Sequence, residues 1–363
     1  MRSLPVVLAP NAFKGTLTAV QAAAAMAMGV ERACPGRLAV MRPLPDGGDG
    51  TLETLLPVFK AERRFFEVSD ACGRPRTVPF GLTQKHSRRI AIIESAPIIG
   101  PGDGLDCPFA SRGSEGLGQL IRHALDLGAQ TLYIGLGGSA TCDAGLGLLT
   151  ALGVRWRGSE GRGLADLGGV VAVDSRGLDP RLKRTRIVVF ADVVNPLLGA
   201  QGAALFAAQK GANAQDLARI EGNLGSFATC LEAHFGRSAR HVAGSGAAGG
   251  LGFALALLSC RIVPGARALA RLTGLQGAIR AAGLVLTGEG ACDEQTAYGK
   301  GPRWVAEQAR SYGKPCYLVC GRIAPSFAPH AALFSGCVRL APADSAFVAV
   351  ADAVAQLMVS CGL

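Results

Sequence analysis

Short apolar runs that end abruptly in glycine-rich turns bearing acids or hydroxyls recur along this chain, with helical spacing between them. Residues 6–9 read as a strand and 10–15 as a loop, and Thr18 with Gln21 makes a capping box for an Ala-rich helix to Cys34. Residues 38–41 form a second short strand, delivering Asp46-Gly-Gly-Asp-Gly-Thr51 to the start of another helix. Beyond Lys60 the character changes: residues 67–69, 76–82 and 89–94, with turn signals between them, predict a β-meander. The α/β rhythm returns at Gly116 with a helix to Leu127, a strand over 131–134, a Gly-rich loop and a helix from about Asp143. Residues 155–160 read as a polar loop. Residues 187–190 and 284–286 are buried strands, ending in Asp192 and in Thr287-Gly-Glu-Gly. The tail adds a strand over 316–319 and a last helix over 346–359, capped by Asp344 or Ser345. A meander flanked by two blocks of βα units predicts an α/β protein with a parallel sheet. One doubly wound domain is assembled from residues 1–63 and 283–363, and a mixed α/β domain, 64–282, is inserted in it.

Composition narrows the class. A chain of 363 residues with 49% hydrophobic and 18% charged residues has ample material for two cores and is not a disordered protein. The net charge of +10 raises nucleic acid as a partner, but Lys and Arg are scattered without a long run and aromatics are few, so no nucleic-acid partner is expected. A small anionic substrate suits the surplus at least as well. The 11 cysteines show no Cys-x-x-Cys spacing, so free thiols in a reducing cytoplasm are the expectation. The opening apolar run is too short for a secretory signal, and the apolar stretch 242–260 holds five glycines and two serines. That stretch reads as a buried loop and helix, so no membrane partner is expected; a homo-oligomer is compatible with the sequence.

Four of the apolar runs deliver chemistry. Gly135-Leu-Gly-Gly-Ser-Ala-Thr141 matches Gly-x-Gly-x-x-Ala after a strand, yet the acid that a dinucleotide fold wants about 20 residues on is absent, which demotes a nicotinamide-dependent dehydrogenase. The alternative is a phosphate cradle in which Gly137, Gly138, Ser139 and Thr141 offer backbone N–H groups and hydroxyls at a helix N-terminus. The Asp46 loop carries two carboxylates among Gly47, Gly48 and Gly50; Asp49 or Thr51 serves as a helix cap and leaves Asp46 for a ligand. Asp192 and Asn195 follow a wholly apolar strand, where a carboxylate needs a metal, a cation or a hydroxyl. Glu289, Asp293 and Glu294, with Thr296 and Lys300 beyond, form a comparable loop, and scattered single acids suit magnesium held together with phosphate. Lys14 and Gln209-Lys210 place lone cations beside glycine. There is neither a P-loop nor a Gly-x-Ser-x-Gly elbow, and the five histidines do not cluster; His123 reads as a surface or satisfied residue rather than a ligand.

Taken in order, Pro10-Asn-Ala-Phe-Lys-Gly-Thr-Leu-Thr18, Pro45-Asp-Gly-Gly-Asp-Gly-Thr51, the 135–141 loop, Asp192-Val-Val-Asn-Pro-Leu197, Gln209-Lys-Gly-Ala212, Gly246-Ala-Ala-Gly-Gly-Leu-Gly252, Thr287-Gly-Glu-Gly, Asp293-Glu-Gln-Thr296 and Gly299-Lys300 resemble the bacterial type-1 glycerate kinases. The motifs span nearly the whole chain. The chain departs from the family at Asn11-Ala12, where Asp-Ser is commoner, at Ala291-Cys292, where Arg-Leu is commoner, and at Ala207-Ala208. The resemblance implies a flavodoxin-like domain with an inserted α/β domain, an active site in the cleft between them, and transfer of the ATP γ-phosphoryl group to D-glycerate with Mg2+. The product it usually implies is 2-phosphoglycerate; a related hydroxy acid or the 3-hydroxyl is the alternative. Within it, the expected catalytic residues are Asp192, Lys14 and Asp46. Asp192 either orients the acceptor hydroxyl and takes its proton or holds the metal. Asn11, Gly47, Gly48, Asp49, Thr51 and Asn195 are expected at the glycerate; Gly137, Gly138, Ser139, Thr141, Gln209, Lys210, Thr296 and Lys300 at the nucleotide; Asp293 and Glu289 at the metal.

Overall fold

The computed structural model describes residues 4–85, 87–101, 105–292 and 301–362. The chain separates into two compact units, one built from Met1–Asp46, Glu53–Val58 and Ala266–Leu363, the other from Gly47–Leu52 and Phe59–Gly265. The terminal unit thus takes the segment from Ala266 onward, where Leu269, Leu275 and Ile279 are fully buried on short amphipathic helices.

The terminal unit is a five-stranded parallel sheet in the order Gly336–Arg339, Cys316–Ile323, Leu284–Cys292, Val6–Leu8, Ala39–Met41. Numbered within the unit and read from the Ala39–Met41 edge this is 2-1-3-4-5, the flavodoxin-like order. Strands buried on both faces must be apolar throughout, and Val6, Val7, Leu8, Leu284, Val285 and Leu286 are all fully buried. Val6, Leu8, Leu284 and Leu286 meet the helices Ala19–Ala33 and Ala346–Ser360, while Gly301–Ser311 packs on the strands Leu284–Cys292 and Cys316–Ile323. Helix starts follow the sequence: Thr18 and Gln21 form the capping box, and Ser345, not Asp344, caps the last helix by accepting from the Val348 N–H. One reading is corrected. The Thr287-Gly-Glu-Gly stretch is not a loop; the strand runs on to Cys292, in register with Cys316–Ile323. Glycine is there because neighbours come close: a Cβ on Gly288 would strike the Val319 carbonyl, and one on Gly290 would lie 3.1 Å from Phe13 Cα.

The inserted unit holds a six-stranded sheet in the order Arg261–Pro264, Arg186–Ala191, Thr131–Leu136, Arg88–Glu94, Pro75–Lys85, Glu62–Ser69. The first four strands are parallel and the last two close it as the expected antiparallel meander. Residues 155–157 are a strand rather than a loop, pairing with Ala172–Asp174 in a two-stranded ribbon. The free-thiol expectation is corrected at one place: Cys72 and Cys107 form a disulfide with Cα atoms 5.8 Å apart. The tight turn before it explains the meeting. Asp70 accepts from the Cys72 and Arg74 N–H groups, and Arg74 pairs with both Asp70 and Asp106, fixing residues 106–107 beside Cys72. His123 is stacked on Phe66 with ring centroids 3.6 Å apart, the satisfied role expected of it. Among the described residues no helix is long and apolar enough to cross a membrane.

Candidate active site

In the inserted unit, parallel pairing sets Glu94 opposite Gly135 and Leu136 opposite Ala191. The chain therefore leaves the sheet at Ser95, Gly137 and Asp192 side by side, at the carboxyl edge where open α/β sheets bind ligands. The 47–52 hexapeptide lies against this edge. A Cβ on Gly48 would lie 2.8 Å from Gly137 Cα, and one on Gly137 2.7 Å from Gly48 Cα, so the two glycine loops touch backbone to backbone. Gly138, with φ +57°, would place a Cβ 2.7 Å from Asp49 Oδ1. Thr51 is fully buried and its Cβ and Oγ1 would each lie 3.1 Å from a Cβ on Gly135.

Two acidic residues that sequence reading did not single out hold this arrangement. Glu94 accepts from the Gly50 and Leu52 N–H groups at 3.0 and 2.9 Å, at the start of the helix Thr51–Phe59, where the Thr51 hydroxyl has no hydrogen-bond partner among the described residues. Ser95 Oγ donates to the Gly137 carbonyl at 2.9 Å and accepts from the Gly137 N–H at 3.1 Å. Asp143, with no exposed surface, accepts from Ser114 N–H and Oγ–H and from the Gly145 and Gly147 N–H groups. Its burial raises the carboxyl pKa against the lowering by those four hydrogen bonds. The only sequence signal was, for Glu94, an acid at the end of an apolar run and, for Asp143, an acid two residues before a glycine.

The 137–141 loop is completed by Lys210. Its Nζ donates to Ser139 Oγ and to the Thr141 carbonyl, both at 2.9 Å, leaving one N–H uncommitted among these contacts. Desolvation lowers the Lys210 pKa against raising by Cys142 and Asp143. Arg112 steadies the turn beneath: its Nη1 donates to the Lys210 carbonyl at 2.7 Å, and its Nε and Nη2 to that of Cys107 at 3.3 Å. The Gly-rich 246–252 motif backs the loop from behind. The Ala144 N–H donates to the Gly249 carbonyl at 3.1 Å, and a Cβ on Gly249 would lie 2.8 Å from Cys142 Cα. The Thr141 hydroxyl is buried with no hydrogen-bond partner among the described residues. Asp192 is exposed at the strand end, whereas the Asn195 amide donates to the Gln201 carbonyl at 2.6 Å; Gln209 is exposed beside Lys210.

In the terminal unit, Asn11 lies at the switch point between the strands Val6–Leu8 and Leu284–Cys292, its N–H donating to the Gly288 carbonyl. Asn11 Nδ2 donates to Asp46 Oδ2 at 2.8 Å, and Asp46 Oδ1 accepts from Gly301 N–H at 3.4 Å, at the start of the helix Gly301–Ser311. Lys14 is exposed on the turn after Phe13. Glu289 is buried, and Cys292 and Cys320 stand beside it. Asp293, Thr296 and Lys300 lie outside the described residues. A buried carboxylate next to two soft thiols is a poor resident magnesium ligand, because magnesium wants a near-octahedral shell of hard oxygens and keeps several waters. Among the described residues no group of three or more His, Cys, Asp or Glu side chains is arranged to hold a metal ion.

The model of the glycerate kinase family matches residues 6–360. A glycerate kinase of Haemophilus influenzae is 38% identical over 325 residues, 87% of this chain and 85% of that protein. One from Halalkalibacterium halodurans is 35% identical over 332 residues, 89% and 86% of the two chains. The glycerate 2-kinase of Escherichia coli K12 is 34% identical over 330 residues, 88% and 86%. The crystal structure of a putative glycerate kinase 2 from Salmonella typhimurium LT2 superposes with a TM-score of 0.84 at 31% identity, covering 99% of this chain and 98% of that one.

Proposed function

The chain belongs to the glycerate kinase family, and on that premise we propose that it transfers the γ-phosphoryl group of ATP to the 2-hydroxyl of D-glycerate. The observation that carries this reading is the 137–141 loop with Lys210 inside it: backbone N–H groups, a serine hydroxyl and a desolvated ammonium gathered at a carboxyl sheet edge. Such a cradle suits the oxygens of a triphosphate.

Phosphoryl transfer through a loose transition state is mostly positioning and charge stabilisation. Lys210, with its remaining N–H, neutralises a phosphate oxygen, and the 137–141 amides orient the chain of phosphates. Asp192, exposed beside that loop, orients the acceptor hydroxyl and takes its proton as the new O–P bond forms and the bond to the ADP leaving oxygen breaks. The Asn11–Asp46 pair binds a glycerate hydroxyl, with Asp46 accepting and Asn11 fixing its rotamer. Lys14, exposed on its turn, meets the substrate's negative charge. Magnesium enters with the nucleotide, as part of the substrate.

Phosphorus NMR of the product made from ATP, magnesium and D-glycerate tests the reading. It expects 2-phosphoglycerate; 3-phosphoglycerate would overturn the regiochemistry, and no ADP release would overturn the kinase. Asp192→Asn is expected to lower kcat by about 10²–10⁴, the range of a general base, in a protein that stays folded. Near-normal turnover in a folded Asp192→Asn protein would remove Asp192 from the mechanism.

A further inference from the structure

Four of the chain's basic residues gather at one place in the inserted unit. At the amino edge of the inserted unit's sheet, opposite the edge that carries Ser95, Gly137 and Asp192, parallel pairing aligns the starts of three strands: Gln130 N–H donates to the Arg89 carbonyl and Arg186 N–H to the Gln130 carbonyl. The 3-10 turn Pro180–Arg184 then folds its own arginines against those strand starts. The result is a cleft of about 460 Å³ lined by Arg88, Arg181, Arg184 and Arg186, with Gln130 and Thr185 between them.

Two of the neighbouring arginines have evident structural work. Arg89 caps the helix Glu115–Asp126 by donating to the Leu127 carbonyl, and Arg181 is shared by Asp126 and Asp179, each at 2.7 Å. Arg88, Arg184 and Arg186 have no carboxylate partner among the described residues. Like charges converging on one concavity repel, and a fold gains nothing from that arrangement by itself. A guanidinium presents planar paired donors that match carboxylate and phosphate oxygens, and the volume is in the range of small-molecule sites.

We propose that this cleft is a second, non-catalytic binding site for a small compound carrying two or more anionic groups, carboxylate or phosphate. It is separate from the nucleotide loop, and it gives the basic surplus of this chain a specific location.

The test uses the full chain at ~0.15 M ionic strength, where isolated surface charges are largely screened. Citrate and tripolyphosphate are titrated by calorimetry and thermal melting, one probing carboxylate and the other phosphate recognition. The proposal expects saturable binding of at least one probe with a rise in Tm. The variant R184Q/R186Q, and separately Arg88→Gln on another element, should lose about tenfold or more in affinity, as expected when charge-assisted hydrogen bonds go. Turnover of ATP and glycerate without the probe should be unchanged in these variants, which shows that they are folded. Absence of saturable binding would overturn the proposal. So would equal binding by wild type and both variants, which would mark an adventitious ion or the nucleotide loop as the site. Binding of heparin with the same dependence on these arginines, but of neither small probe, would also overturn it in favour of an extended polyanion surface.

Discussion

At the tip of Lys210, two N–H groups are committed to Ser139 and Thr141, and the ammonium is largely out of water. A lysine in that position shapes the loop before it meets any ligand. Lys210→Ala therefore removes both a phosphate contact and the tether of the loop, and kcat/KM for ATP is expected to fall by about 10²–10³. Because desolvation lowers its pKa, the charged form disappears at a pH below that of an ordinary lysine as solutions are made alkaline. The alkaline limb of the pH profile of kcat/KM for ATP should lie correspondingly low, and Lys210→Arg, which keeps its charge, should move that limb upward. A profile identical in the Arg variant would show that another group titrates there. Lys210 was legible as a cation next to glycine. Arg112, which holds its backbone, was not, because the partners lie 98 residues apart.

Among the elements, the two glycine loops show why short motifs read well in part. Gly47, Gly48, Gly137 and Gly138 were all recognised as special, yet the sequence offered no way to see that several serve each other. Gly48 and Gly137 are glycines because their backbones meet. Gly137→Ala should force them apart and abolish most of the turnover, while costing about 1–3 kcal/mol in stability from overpacking; circular dichroism melts and steady-state rates separate the two effects. The extension of the Leu284–Cys292 strand was missed for a related reason, since glycine signals a turn until close neighbours are known. The Cys72–Cys107 bridge closes a segment of 35 residues, and in the chain-entropy account Cys107→Ser costs about 4 kcal/mol, typically less in practice. Differential scanning calorimetry with and without reductant measures it. The adjacent Asp70 adds a pH signature. Burial pushes its carboxyl up, but hydrogen bonds from the Arg74 and Cys72 backbone and the Arg74 guanidinium more than offset this, so the pKa is lowered on folding. Stability from Asp70 is present above the ordinary carboxylate range and is lost as pH falls through it towards the lowered value. Asp70→Asn should flatten that part of the Tm–pH curve.

At the scale of the molecule, the alternation of strand and helix, the interrupting meander and the parallel sheet assembled from both chain ends were readable from periodicity alone. The excursion of residues 47–52 was not, because six residues carry no compositional mark. The 181–186 segment carries four basic residues in six, but that Arg88 joins Arg184 and Arg186 was invisible along the chain, since strand register brings it to them.

The path of residues 47–52 has a practical corollary. These residues count with the inserted unit while both their flanks count with the other, so the polypeptide is basted through the two units rather than strung from one to the next. A genetically excised piece from Phe59 to Gly265 keeps every strand of the six-stranded sheet but forfeits the Gly50 and Leu52 amides that Glu94 receives. Such a piece should melt below the intact protein, because Glu94 loses those two backbone donors, and should regain part of the difference when the missing hexapeptide is supplied through a linker. Shuffling this insert between relatives therefore calls for transplanting two segments, not one.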